Sequence, residues 1–256
     1  NGLQPPKTWE EYLEVASKIH GQDMNGDGEG DFGSCIFKKR NAQSYFAIQT
    51  FAAPIVQTQG TAQGFHFDNA TMKPIINNEG WKKAFELYKA TGQYGPPDEL
   101  NMDIGDTRAL FKAGRCGLIV EWGDPGTLQL DDDAKSIRGK MYAISAVGST
   151  EVLDRSTGKL VPVSAATAPY AVDGINYAPF AAFGGWAGAV NKGADAKTKA
   201  AAYAFLSYMN QAAQSGVDVT IGATGYNPYR TSQLASTDLW VKAGMPKALA
   251  DNYLGE

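Results

Sequence analysis

Segments with helical periodicity alternate along this chain with short apolar runs bounded by turn residues, and that alternation restricts it to α/β architectures. Pro5 and Pro6 stop the first helix from starting earlier, Thr8 is placed to cap it, and Glu11 stands three positions on to complete a capping box. Trp9, Tyr12, Leu13, Ala16 and Ile19 then recur at helical spacing, so one face is expected in a core. Residues 41–60 predict a second helix ending at Gly60. Trp81, Ala84, Phe85 and Tyr88 mark a third, stopped near Gly92 and Pro96-Pro97, and a short one from Thr107 to Ala113 stops at Gly114. Cys116 to Trp122 reads as a buried strand running into a turn at Gly123-Asp124-Pro125-Gly126, and Met141 to Val147 as another strand. Residues 148–180 read as a long irregular connection, which in a compact domain is usually functional or partly mobile. A helix over 195–213, capped by Asp195, carries Ala201, Ala202, Phe205, Tyr208, Met209 and Ala212 on its apolar face.

Composition narrows the function classes. The 256 residues suffice for one large domain or two small ones, and the 43% hydrophobic and 20% charged content is that of an ordinary globular protein. The formal net charge is -4 and no basic stripe stands out, which argues against nucleic acid; Lys38-Lys39-Arg40 is a short cluster of the solvated-loop kind. No apolar run approaches the roughly 18 residues needed to cross a bilayer. Cys35 and Cys116 are too few for a disulfide scaffold or a four-thiolate zinc site, and they leave two readings open: one disulfide, or two separate buried thiols. The opening Asn1-Gly2-Leu3-Gln4-Pro5-Pro6, with no Met, reads as the interior of a longer chain.

One loop has the spacing of a calcium site. Asp23, Asn25 and Asp27 stand two apart, Gly28 permits a sharp turn, Glu29 falls at the backbone-ligand position and Asp31 at the ninth place. Ser34 occupies the twelfth position, where a bidentate Glu would sit, so the expected Ca2+ site is a weak one. The competing reading is an Asx-rich turn whose side chains bond their own backbone.

Binding residues are expected where flat rings and polar side chains meet at junctions. Glu121, Trp122 and Asp124 sit at a strand-to-turn junction; Trp186 lies in a Gly-rich turn; Tyr226, Tyr229 and Arg230 share one loop; Tyr45 is followed by Phe46. Taken singly each ring also fits core packing. Catalysis finds little to work with. His20 and His66 have no metal-ligand spacing, no P-loop or dinucleotide fingerprint occurs, and the one enzyme alternative is a glycoside hydrolase using Glu121 and Asp124.

Pro5-Pro6-Lys7-Thr8-Trp9-Glu10-Glu11 resembles the opening of the second lobe in carbohydrate-type extracellular solute-binding proteins, the maltose-binding-protein-like family. The loop Asp23 to Gly33, the stretch Leu110-Phe111-Lys112-Ala113-Gly114-Arg115-Cys116-Gly117-Leu118, and Gly184-Gly185-Trp186 before an alanine-rich helix resemble that family's later landmarks in the same order. Cys116-Gly117-Leu118 departs from the family's usual small-Ala-Met. The resemblance implies a periplasmic-binding-protein type II fold: a C-terminal-type lobe over 1–182, a returning segment of the N-terminal-type lobe over 183–222, and a tail over 223–256 crossing back. It further implies a stacking role for Tyr45 and extracytoplasmic, non-catalytic binding of a small polar solute, a carbohydrate, for ABC-type uptake or sensing. The implied partners are the missing first lobe and a membrane transporter or signalling module. The alternative is the ligand-sensing ectodomain of a membrane-anchored signalling enzyme such as a cyclase.

Overall fold

The computed structural model describes residues 2–60, 63–180, 187–222 and 226–254. The chain divides into two compact units, Asn1–Val120 with Ile144–Ala182, and Glu121–Ala143 with Phe183–Glu256.

In the first unit, helix α1 (Trp9–Ile19) starts where Thr8 Oγ1 accepts the Glu11 N–H at 3.2 Å. Glu11 reaches past the cap to accept the Lys7 N–H at 2.7 Å, so the reciprocal half of the capping box falls one residue early. The helix buries Trp9, Tyr12, Ala16 and Ile19. It lies directly on strand β1 (Phe32–Cys35), where a Cβ on Gly33 would stand 2.0 Å from the Ala16 carbonyl oxygen. Helices α2 (Ser44–Val56) and α3 (Glu79–Thr91) complete the packing. The Trp9 ring stacks on Phe51 with centroids 3.6 Å apart, and Tyr88 meets Phe51 edge-on at 5.5 Å. Helix α4 (Ile104–Lys112) leads into strand β2 (Cys116–Ile119), which pairs in parallel with β1. Cys35 and Cys116 form a disulfide between these two strands, resolving the two readings of the cysteines.

Two stretches differ from the sequence expectation. Residues 141–147 form no strand: Tyr142 and Ile144 are exposed, and only Val147 is buried. Residues 148–180 are not wholly irregular, because β3 (Glu151–Asp154) and β4 (Lys159–Pro162) form an antiparallel hairpin with Val152 opposite Val161 and Leu153 opposite Leu160. This region also finishes α2. Arg155 donates to the carbonyls of Val56, Gln63 and Gly64, and Asn176 Nδ2 donates to those of Pro54 and Gln57, so the last carbonyls of α2 and two of the loop after it are bonded.

The second unit is helical among the described residues: α5 (Asp124–Leu128), α6 (Ala196–Met209), α7 (Ala212–Asp218), α8 (Thr231–Leu234), α9 (Asp238–Lys242) and α10 (Lys247–Leu254). Its core joins Val219, Trp240, Met245 and Ala250, with Tyr226 and Tyr253 packed against them. Helix α6 begins at Asp195, whose Oδ1 accepts the Thr198 N–H at 2.9 Å, but it ends at Met209 and the chain turns into α7. It buries no residue; Tyr203, Phe205 and Tyr208 are exposed. No helix among the described residues is long and apolar enough to cross a membrane.

Candidate functional site

In the first unit, the residues after β1 are held by a buried ion pair. Lys38 Nζ lies 2.5 Å from Glu99 Oε2 with both side chains at 5% exposure or less, so Lys38 is not the solvated-loop lysine its sequence neighbours suggest. Glu99 Oε1 also accepts the Ile36 N–H at 2.8 Å, and Lys38 Nζ donates to Thr91 Oγ1 at 2.8 Å. The chain leaves this anchor through Asn41, which takes a left-handed backbone with φ 61°, and enters α2. Tyr45 stands in the first turn of that helix, half exposed and with its ring 4.0 Å from that of Phe46. An exposed ring on a helix anchored this firmly is suited to stacking on the apolar face of a ligand.

The candidate calcium loop folds on itself. Asp23 accepts the N–H groups of Gly26, Asp27 and Gly28 at 2.6–3.1 Å, Asn25 Oδ1 accepts that of Asp27 at 3.0 Å, and Asp27 Oδ1 accepts that of Glu29 at 2.9 Å. Asp31 is buried and accepts the Met24 N–H at 2.6 Å. Arg115 reaches into the loop and pairs with Asp27, Glu29 and Asp31. Among the described residues no group of three or more His, Cys, Asp or Glu is arranged to hold a metal ion.

In the second unit, Glu121 and Trp122 lie half-buried just past β2, and the Glu121 carboxylate accepts the Trp122 N–H at 2.8 Å. Asp124 opens α5 and is buried. Sequence reasoning missed two neighbours of this junction, Asn227 and Tyr253. A Cβ on Gly126 would lie 1.9 Å from the Tyr253 ring, and one on Gly123 would lie 2.6 Å from Asn227 Oδ1 and 3.2 Å from the Tyr253 hydroxyl. The two glycines therefore let α10 and the loop at 227 close over the start of α5. Burial, helped by the Asp124 charge, pushes the Tyr253 phenol up to about 12. The glycines around Asp124 were the available signal, but nothing in the sequence says which distant ring needs their space.

The loop at 226–230 splits by role. Tyr226 packs on the unit's core, Tyr229 is half exposed, and Arg230 stacks over the Tyr229 ring at 5.4 Å. The Arg230 guanidinium donates to Ser215 Oγ and to the Asn210 carbonyl, closing the corner between α6 and α7. Trp186, with the Gly184-Gly185 turn, lies outside the described residues. A surface hollow in the first unit, lined by Lys83, Glu86, Leu87, Ala90 and Leu160, contains none of the residues singled out from sequence.

The first unit thus presents an exposed ring after β1, and the second unit, by itself, a carboxylate-indole-carboxylate junction. The comparison that decides their setting is a family model of bacterial extracellular solute-binding proteins, which matches residues 2–247. The chain belongs to that family. No curated protein matches it. Among solved structures, this solute-binding chain is similar to an ABC transporter solute-binding protein from Agrobacterium radiobacter K84 in complex with ribitol, at 19% identity and TM-score 0.60, covering 100% of this chain and 54% of that one. It is also similar to one from Agrobacterium vitis S4 with bound D-mannitol, at 18% identity and TM-score 0.59, covering 99% of this chain and 52% of that one. The fold is therefore that of the solute-binding proteins, a mixed α/β architecture, and the chain spans about half the length of these relatives.

Proposed function

We propose that this chain binds a small polyhydroxylated solute, a sugar or sugar alcohol, reversibly and without chemistry, as part of an extracytoplasmic solute-binding protein serving ABC-type uptake. The observation that carries the reading is the family match over residues 2–247. The ribitol and D-mannitol held by the two similar structures suggest the solute class. The disulfide agrees with an oxidising compartment outside the cytoplasm. In the second unit the half-buried Trp122 supplies a flat face for C–H groups and Glu121 an acceptor for hydroxyls, and in the first unit the half-exposed Tyr45 supplies a flat face of its own. Uptake is favoured over the receptor-ectodomain reading because the matching structures are transporter-linked binding proteins.

The exposed stripe of α6 fits the same reading. In the proposed whole protein that stripe packs against the first lobe that the resemblance implies, this chain covering 54% of the ribitol-bound relative. Isothermal titration with ribitol, D-mannitol and a panel of hexoses tests the binding. The expected result is saturable heat with one of them that Trp122→Ala and Tyr45→Ala each weaken by tenfold or more, about 1.4 kcal/mol. No heat with any polyol or sugar, alongside saturable binding of an amino acid or peptide, would overturn the solute class. Hydrolysis of an aryl glycoside that stops in Glu121→Gln would overturn the absence of chemistry.

A further inference from the structure

We infer that Arg115 is the built-in cation of the acidic loop 23–31, and that its guanidinium does the work the spacing of that loop would otherwise assign to a divalent ion. Three carboxylates converge on it. Nη1 lies 3.2 Å from Asp27 Oδ2 and 2.9 Å from Glu29 Oε2, and Nε lies 2.8 Å from Asp31 Oδ1. Nη2 adds a contact to the Gly30 carbonyl at 3.4 Å. The fixed fork of a guanidinium can address several oxygens at once, which the single point charge of a lysine does less well. Asp31 is the decisive partner. Its side chain is 0% exposed, so an ionised carboxylate there requires a counter-charge, and Arg115 is the cation beside it.

The place of the clamp in the chain gives it a purpose. Asp31 is the residue before β1, and Arg115 is the residue before β2. The Phe32 N–H donates to the Arg115 carbonyl at 2.9 Å, so Arg115 serves both the ion cluster and the first rung of the parallel pair, and Asp31 and Phe32 are consecutive. Asn25 Nδ2 reaches the Ala113 carbonyl at 3.3 Å, tying the loop also to the end of α4. The loop is therefore a strap that sets the starts of β1 and β2 side by side, and it needs no metal to do so. An Asx-turn scaffold and a set of converging carboxylates are what a calcium loop has, but here the centre belongs to a side chain of the same protein.

The test compares denaturation midpoints in excess EDTA and in millimolar calcium, for the parent chain, Arg115→Lys, Arg115→Ala and Asp27→Ala. The parent is expected to melt identically in both buffers and to give no calcium heat by calorimetry. Arg115→Ala leaves Asp31 buried without its counter-charge, and its folding equilibrium constant should fall by roughly 100-fold. If that variant does not fold, Arg115→Lys decides: keeping the charge but losing the fork, it should lower the constant by about tenfold. Parent chain stabilised by calcium, with the increment lost in Asp27→Ala, would overturn the inference and make the loop a true cation site. Unchanged stability in Arg115→Lys and Arg115→Ala would overturn it as well.

Discussion

Gly126 is the residue where space is tightest against the candidate site. Adding a methyl there drives it into the Tyr253 ring. Gly126→Ala is therefore expected to cost about 1–3 kcal/mol in urea denaturation, with part of the loss recovered in Gly126→Ala combined with Tyr253→Ala. Tyr253 also carries a pH prediction. Its phenol is raised from 10.0 to about 12, first by burial and then by the Asp124 charge. A group raised in the folded state contributes stability that is intact below pH 10 and lost as pH climbs toward 12. The difference in absorbance titration between the parent and Tyr253→Phe should show this late ionisation, and Asp124→Asn should bring it earlier. Single residues were also where sequence reading was weakest. Lys38 reads as one of three consecutive surface cations, yet it is buried because Glu99, far along the chain, turns inward to meet it. Arg230 reads as a binding-loop cation, and the fold spends it on the Ser215 and Asn210 oxygens. Both depend on partners that local pattern does not contain.

Elements with strong local signals were legible. Thr8 and Asp195 each cap the helix that follows them, and the buried face of α1 is the one its periodicity announces. The hairpin of β3 and β4 was not legible: its strands are four residues each, and half of their side chains are polar or exposed. The run 141–147 shows the reverse error, since an apolar stretch acquires strand character only if an edge is there to pair with it. The disulfide is the element-scale feature with the largest expected effect. It joins residues 81 apart, and closing a loop of that size in the unfolded chain is worth about 4.5 kcal/mol in the chain-entropy account. Reduction, or Cys35→Ser with Cys116→Ser, should lower the urea midpoint and raise the denaturant slope, because the untethered unfolded chain exposes more surface.

At the scale of the molecule, the family and the fold class were readable, because the motifs that carry the resemblance are spread along the chain rather than resting on one local signal. The grouping of 121–143 with the second unit rests on contacts between segments distant in sequence, which local pattern does not carry. The bare face of α6 carries the prediction at this scale. Phe205→Ser with Tyr208→Ser should change the stability of this chain by no more than about 1 kcal/mol, because neither ring is buried and the Tyr208 hydroxyl bond to Gln214 lies at the surface. The same pair should reduce self-association in light scattering, since exposed apolar patches drive it. A large loss of stability would mean that the rings are packed within the chain. The parallel pairing of β1 with β2 has a consequence of another kind. Parallel partners this far apart meet only after a long stretch of chain has been confined, a cost charged before any contact repays it, and such topologies fold slowly. A chain whose cysteines are already joined has that search done in advance, so oxidised protein diluted from denaturant should reach the native state faster than reduced protein, and the order of oxidation and folding becomes a variable in how quickly the molecule matures.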